Sequence, residues 1–266
     1  MHEVAVGLLG LGTVGSGVIQ ILEQNAEDIQ NRSQSRIKVT KVLVRNVNAP
    51  RKIAGDFKLT DNPQDILADP EISIIVEVMG GIEPARSYIL EAFKQGKNVV
   101  TANKDLLALH GHELLEAAKE AGKDLYFEAS VAGGIPIIAA LKQSLAGNKI
   151  SEVLGIINGT TNYILSAMTE QGRDYAEVLK EAQELGYAEA DPTADVEGLD
   201  AARKLAILAS IAFNSRVTVN DVYVEGISKI TAEDIAYARE LNSTINLLAV
   251  AKTQPDGIEV RVHPAF

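Results

Sequence analysis

The sequence predicts an α/β protein: a doubly wound parallel sheet followed by an α+β domain. Three observations carry this. Val4 to Leu9 is a short apolar run that enters Gly10-Leu11-Gly12-Thr13-Val14-Gly15 and then the apolar-periodic Val18, Ile19, Ile21 and Leu22, which reads as strand, glycine turn and helix. Up to about Glu128, apolar strand-like runs alternate with helical patterns, the rhythm of a parallel sheet with crossover helices. From Ala129 onward that rhythm is lost. The expected boundaries are a dinucleotide-binding domain over 1–129 and a substrate-binding domain over 130–266.

In the opening turn each glycine has a reason. Gly10 permits the tight turn, Gly12 lets a pyrophosphate approach the backbone, and Gly15 lets helix and strand pack closely. The helix N-terminus presents N–H groups and a positive dipole end to phosphates, with Thr13 and Val14 in its first turn. This strand–turn–helix setting makes the first domain Rossmann-type. Gln24 to Arg36 is polar and reads as a surface loop or frayed helix end. Ile37 to Val44 is a second strand ending at Arg45. An acidic residue there would bond the ribose 2′-OH of NAD, whereas an arginine accommodates the 2′-phosphate of NADP, so the sequence leans towards NADP without excluding NAD. Pro63 to Asp69 is a short helix, Ile72 to Met79 a buried strand stopped by Gly80-Gly81, and Pro84 to Gln95 a helix. Asn98 to Val100 is a strand, Leu106 to Ala121 a helix ending at Gly122, and Asp124 to Glu128 a strand.

In the second half, Gly133-Gly134-Ile135-Pro136 opens a helix to Leu145. Ile150 to Ile157 is a strand, followed by Asn158-Gly159-Thr160-Thr161-Asn162 and a helix to Met168. Tyr175 to Glu184 is an amphipathic helix, Tyr187 to Gly198 an acidic loop, and Leu199 to Phe213 a nearly all-apolar, buried helix. Thr231 to Leu248 reads as mixed helix and Ile258 to Val262 as a strand.

Composition narrows the function classes. The net charge of −11 argues against nucleic acid as the main partner, because phosphate binding needs a basic face. The sequence holds no cysteine, which excludes disulfides, thiolate zinc sites and thiol nucleophiles and fits a cytoplasmic protein. No signal-peptide pattern is present at the start, and no apolar stretch approaches a membrane span.

Several residues can carry chemistry. Lys104 follows a strand of the parallel sheet, where ligands bind beyond the carboxyl ends; it reaches substrate or cofactor, or is a solvated loop lysine. Asp200 and Lys204 stand four apart on the most apolar helix, acid first, on one face. Their neighbours Leu199, Ala201, Ala202, Leu205, Ala206, Ile207 and Leu208 desolvate the lysine in part and suit it to proton transfer. The loop before that helix carries four carboxylates, Glu189, Asp191, Asp195 and Glu197, which either hold the ammonium of an amino-acid substrate or complement the helix dipole. Asn158 to Asn162 either binds a carboxylate through backbone N–H groups and hydroxyls or is plain N-capping. His110 and His112 diverge on a helix and make a poor metal pair.

Together, Gly-Leu-Gly-Thr-Val-Gly-Ser-Gly at 10–17, Val-Thr-Ala-Asn-Lys at 100–104, Phe-Glu-Ala-Ser-Val-Ala-Gly-Gly-Ile-Pro at 127–136, Asn-Gly-Thr-Thr-Asn at 158–162 and the long motif Gly-Tyr-Ala-Glu-Ala-Asp-Pro-Thr-Ala-Asp-Val-Glu-Gly-Leu-Asp-Ala-Ala-Arg-Lys at 186–204 resemble the homoserine dehydrogenase family. The resemblance runs from about Val4 to the end of the chain. It implies NAD(P)-dependent interconversion of L-homoserine and L-aspartate 4-semialdehyde, a branch step of threonine, methionine and isoleucine synthesis. By the same resemblance Lys204 is the general acid/base with Asp200 its partner, and Glu189 and Asp195 are substrate ligands with Tyr187 and Thr160 nearby. Lys104 is then a second active-site lysine close to the nicotinamide. The resemblance further implies a sodium ion held by main-chain carbonyls of Glu128, Val131, Gly133 and Ile135, and a homodimer paired through the second domain. Family members continue past the equivalent of Phe266 with a further glycine-rich segment near the cofactor, and many end in a regulatory ACT domain.

Overall fold

A computed structural model describes residues 2–51 and 53–266. They form two compact units that divide between Gly134 and Ile135.

The first unit is built on a six-stranded sheet. In chain order its elements are β1 (His2–Leu9), α1 (Thr13–Gln24), α2 (Ala26–Ser33), β2 (Ser35–Leu43), β3 (Lys58–Thr60), α3 (Gln64–Leu67), β4 (Ile72–Glu77), α4 (Ala85–Lys94), β5 (Asn98–Thr101), α5 (Lys104–Glu120) and β6 (Leu125–Tyr126). Every strand pairing is parallel and the spatial order is β3-β2-β1-β4-β5-β6. The chain therefore leaves β1 to one side and returns to begin β4 on the other. This reversal opens a crevice beyond the carboxyl ends of β1 and β4, where such sheets take their ligands. Parallel strands covered on both faces read as continuous apolar runs. Val6, Leu8, Ile19, Val39, Val42 and Val44 accordingly make one buried cluster, and Ile75, Ile89, Phe93, Leu106 and Leu114 are fully or almost fully buried.

The second unit holds α6 (Ile137–Ala139), β7 (Glu152–Gly155), α7 (Gly159–Gln171), α8 (Tyr175–Glu184), α9 (Thr193–Val196), α10 (Leu199–Ala212), β8 (Tyr223–Val224), α11 (Ala232–Glu240), β9 (Asn246–Gln254) and β10 (Gly257–Ala265). Its sheet runs β7-β9-β10-β8, antiparallel except for the β10–β8 edge. Helix α10 packs on β9 and β10 and buries Ala201, Ala202, Leu205, Ala206, Ile207, Leu208 and Ala209. That burial takes most of the apolar surface of this helix out of water. Among the described residues no helix is long and apolar enough to cross a membrane.

Several segments differ from the sequence reading. The polar stretch 24–36 contains a true helix, α2, with no buried residue. It lacks an apolar stripe, but Glu27 and Asp28 in its first turn and Arg32 in its last complement the helix dipole. The stretch 231–248 is not helix throughout: α11 ends at Glu240, Asn242 takes φ 53°, and Asn246 onward belongs to β9. A short apolar run such as Leu247-Leu248-Ala249-Val250-Ala251 has no period to separate strand from helix. In the stretch 124–128 only Leu125–Tyr126 is strand, and Glu128–Ser130 is a 3-10 turn. The helix expected from Gly133 begins at Ile137 and passes into a π-helical turn over Ala140–Ser144. The two short edge strands β3 and β8 left no readable pattern in the sequence.

Gly10 sits at φ 106°, and a Cβ there would lie 2.9 Å from the carbonyl oxygen of Val78. Gly10→Ala is therefore expected to destabilise the first unit by about 1–3 kcal/mol. Urea-dependent hydrogen exchange at the β1 amides measures this, and an unchanged unfolding free energy would refute the steric account.

Candidate active site

In the first unit the glycine turn joins β1 to α1. A Cβ on Gly15 would run into the carbonyl oxygen of Gly10, so the close strand–helix approach requires glycine. A Cβ on Gly12 would meet nothing within 4 Å, so open space lies over this part of the turn. Gly12 is the N-cap of α1 and offers no side-chain cap, and the first helical turn, which includes Thr13 and Val14, contains no acid. An uncapped helix N-terminus beside open space, free of local negative charge, suits a pyrophosphate. Arg45 is exposed just past the carboxyl end of β2.

Lys104 is not in a loop: it is the first residue of α5. Asn103 caps that helix, its Oδ1 accepting from the Leu106 N–H at 3.2 Å, while its Nδ2 donates to the Gly81 carbonyl at 2.7 Å. Behind it, the buried Glu77 carboxylate at the end of β4 accepts from Thr101 Oγ1 at 2.6 Å and from the Met79 N–H at 2.8 Å. The Asn103 N–H donates to the same Thr101 hydroxyl at 3.0 Å. This network ties the carboxyl ends of β4 and β5 to the start of α5 and so fixes where Lys104 begins.

The second unit holds a polar cluster on its most apolar helix. Asp200 and Lys204 lie one turn apart on α10, with Lys204 Nζ 2.6 Å from Asp200 Oδ2. Nζ also donates to the carbonyl of Ile157 at 3.0 Å. Asp200 is 7% exposed, so its charge is largely removed from water. Asn158, at the N-cap of α7, donates through Nδ2 to Asp195 Oδ1 at 2.7 Å and to Asp200 Oδ2 at 2.9 Å. Thr160 Oγ1 lies within donating distance of the Tyr187 carbonyl (2.9 Å) and of Asp195 Oδ2 (3.2 Å). Asp195 is carried by α9, the single turn that interrupts the expected acidic loop. These groups line an open cleft of about 560 Å³ with Tyr163 and Tyr187, whose rings are 4.9 Å apart.

Of the residues singled out in this half, Lys204, Asp200, Asp195, Tyr187 and Thr160 share that cleft, whereas Glu189 has an exposed side chain and does not line it. The Glu189 carbonyl accepts from Gln183 Nε2 at 3.1 Å. Asp191 accepts from the N–H and hydroxyl of Thr193, which hold its carboxyl below the usual range. Two cleft residues carried no individual signal. Asn158 reads as a cap, and it is one, but its amide also joins two carboxylates. Tyr163 looks like a packing residue, yet its hydroxyl donates to Glu181 at 2.6 Å. That bond, followed by the Arg173 guanidinium, holds the Glu181 carboxyl below its ordinary value.

Among the described residues no group of three or more His, Asp or Glu is arranged to hold a metal. The carbonyl segment 128–135 is irregular. Ala132 and Gly133 take φ 62° and 59°, the Glu128 carbonyl accepts from the Val131 N–H at 3.4 Å, and that of Ile135 accepts from the Ile137 N–H at 2.9 Å.

Comparison with known proteins bears on both units. The family model described as "Homoserine dehydrogenase" matches residues 136–266, and "Homoserine dehydrogenase, NAD binding domain" matches residues 10–128. A homoserine dehydrogenase of Bacillus subtilis is 48% identical over 267 residues, covering 100% of this chain and 62% of the relative. One from Synechocystis is 53% identical over 270 residues, covering 99% and 61%. Among solved structures, a homoserine dehydrogenase from Thiobacillus denitrificans superposes with a TM-score of 0.95 at 52% identity, over 99% of this chain and 61% of that one. That of S. aureus at pH 6.0 gives 0.89 at 45% identity, over 99% and 67%. The chain thus spans about three-fifths of the length of these curated relatives, 62% and 61%.

The cleft geometry makes one electrostatic prediction. Glu181 is partly exposed, and its depressed carboxyl favours the folded state above the unfolded pKa, an advantage lost as pH falls through the folded pKa. Tyr163→Phe removes the leading cause, so the Glu181 carboxyl should titrate closer to its ordinary value. Carboxyl-carbon NMR titration reads this directly, and an unmoved titration would contradict the assigned cause.

Proposed function

The chain belongs to the homoserine dehydrogenase family, and from that premise we propose that it interconverts L-homoserine and L-aspartate 4-semialdehyde with NAD(P)(H). The observation that carries the proposal is the Lys204–Asp200 pair, 2.6 Å apart and lining a carboxylate-bearing cleft. In the oxidising direction the neutral Lys204 amine accepts the homoserine hydroxyl proton, while the hydride leaves the carbinol carbon. In reverse the lysine ammonium protonates the forming alkoxide. Asp200 and the Ile157 carbonyl hold Nζ in place for both directions.

The substrate ammonium belongs on the carboxylates. Asp195 lines the cleft and is its first ligand in this reading; Glu189, at the exposed edge of the same loop, is the second. Tyr187 and Thr160 complete the substrate walls. In this assignment the second unit, 130–266 on the sequence boundary, is the substrate-binding and dimerisation domain, and 1–129 the cofactor domain.

The residues of the first unit fit a dinucleotide: the open turn at Gly12, the uncapped start of α1 and the glycine demanded at Gly15 form a phosphate cradle. Gly10, Gly12, Thr13, Val14 and Gly15 would hold the pyrophosphate, and Arg45 the 2′-phosphate of NADP, which we favour over NAD. When bound, the nicotinamide supplies the hydride acceptor or donor. Lys104, set at the head of α5, is the lysine assigned to its neighbourhood. The carbonyls of Glu128, Val131, Gly133 and Ile135 are hard oxygen donors of the kind a sodium ion takes, and the irregular backbone over Ala132 and Gly133 is compatible with turning them together. We further assign the protein to a cytoplasmic homodimer acting in threonine, methionine and isoleucine synthesis.

The deciding experiment is NADPH oxidation on addition of L-aspartate 4-semialdehyde, where absence of turnover by this chain and by a version extended past Phe266 would sink the proposal. Lys204→Ala is expected to lower kcat by about 10²–10⁴-fold with NADPH affinity unchanged. Stopped-flow rates together with fluorescence binding check both halves of that statement, and near-parental turnover would remove Lys204 from its role. Arg45→Glu should lower the preference for NADPH over NADH by about 10- to 100-fold, the worth of a lost charge-assisted bond. An unchanged ratio of kcat/KM for the two cofactors would show that Arg45 does not read the 2′-phosphate.

A further inference from the structure

Asn158 does more than start a helix. It is 5% exposed, and its carboxamide is bonded at both ends. Oδ1 faces the N–H of Thr161 at 2.9 Å and its hydroxyl at 2.9 Å, so it acts as the N-cap acceptor of α7. Nδ2 has two N–H donors, and each has a carboxylate within reach: Asp195 Oδ1 at 2.7 Å and Asp200 Oδ2 at 2.9 Å. The amide has one workable orientation. Exchanging its oxygen and nitrogen would set an oxygen against two carboxylates and an NH2 group against the Thr161 N–H.

The residue type follows from this double duty. Ser, Thr, Asp and Asn all cap helices well. Of these only Asn offers a cap acceptor and two donors at the same time. Asp200 Oδ2, which takes one of those donors, is the same oxygen that receives Lys204 Nζ at 2.6 Å. Asp195, which takes the other, lies with its second oxygen 3.2 Å from the Thr160 hydroxyl. Two carboxylates with no group between them would repel and rotate apart. With the amide between them they stay on one side of the cleft.

We infer that Asn158 is a positioning residue for the reaction: its amide locks the carboxylate that steers Lys204 to the carboxylate that receives the substrate ammonium, so that proton acceptor and substrate ligand are held in one register. The inference rests on the site assignment proposed above.

Two conservative variants test it. Asn158→Ser keeps a capping oxygen but cannot donate to both carboxylates. Asn158→Asp keeps the cap acceptor and the shape but turns both donors into acceptors. Asn158→Ser is expected to melt closer to the parent than Asn158→Asp, which sets a third carboxylate against Asp195 and Asp200. Asn158→Ser should lower kcat for homoserine oxidation about 10- to 100-fold, with NADP affinity unchanged. Asn158→Asp should lower kcat at least as far, and should move the rising limb of its pH profile to higher pH, because added negative charge favours the protonated lysine. A role confined to capping would leave kcat and the pH profile untouched in both, and that result would overturn the inference.

A crystal structure of Asn158→Ser reads the same question without turnover: Asp195 and Asp200 should be displaced from their parental positions, and carboxylates found unmoved would also overturn it. If the parent chain, its extended version included, fails to oxidise homoserine, the functional proposal falls, and the crystal structure alone decides whether Asn158 positions the two acids. Should Asn158→Asp fail to fold, Asn158→Ser carries the kinetic test.

Discussion

An ion pair on an apolar helix is the constraint around which the second unit is arranged. Taking Lys204 and Asp200 out of water is costly, and their mutual attraction offsets that cost only if the remaining donors and lone pairs are also satisfied. Helix α10 supplies the pair and, because it must pack on β9 and β10, supplies the desolvation as well. The compensation comes from elsewhere in the chain: the Ile157 carbonyl for the lysine and the Asn158 amide for the aspartate, both from the segment that follows β7. Where β7 ends and α7 begins is therefore tied to the chemistry of a helix some forty residues further on, the separations being 47 for Ile157–Lys204 and 42 for Asn158–Asp200.

The first unit meets a different requirement. An anionic ligand approaching a chain of net charge −11 is repelled at long range, so attraction has to be local. Backbone N–H groups at the head of α1, with no acid in the first turn, and an arginine beyond β2 are local in this sense. One unit thus works through main-chain dipoles and the absence of side chains, the other through side chains bonded to one another along an open cleft.

How much of this the sequence displays depends on whether a feature is periodic. Tyr175–Glu184 has the same bounds in sequence and structure because its amphipathic stripe is clear and Gly186 closes it. The spacing of Asp200 and Lys204 against an apolar background was enough to pick out the pair. Helix α2 was invisible because nothing in it is buried, and the start of β9 was misread because an apolar run without alternation fits either state. The acidic stretch named four carboxylates without ranking them; only the turn of α9 separates Asp195, which faces the cleft, from Glu189, which is exposed. Asn158 is the plainest case. Capping is a local property and can be read from neighbours, while bridging Asp195 and Asp200 is a long-range one that no spacing rule contains.

The dipeptide at this position bears on how long the site survives. In a flexible chain an asparagine followed by glycine is chemically short-lived, because the glycine nitrogen, unhindered by a side chain, attacks the amide carbon and expels ammonia. Here Gly159 is the first residue of α7, and the Asn158 amide is held by Thr161 on one side and two aspartates on the other. Ring closure would have to break those bonds and swing the side chain back over its own backbone. Folding therefore shields from ageing the one amide whose hydrolysis would insert a third negative charge between two existing ones.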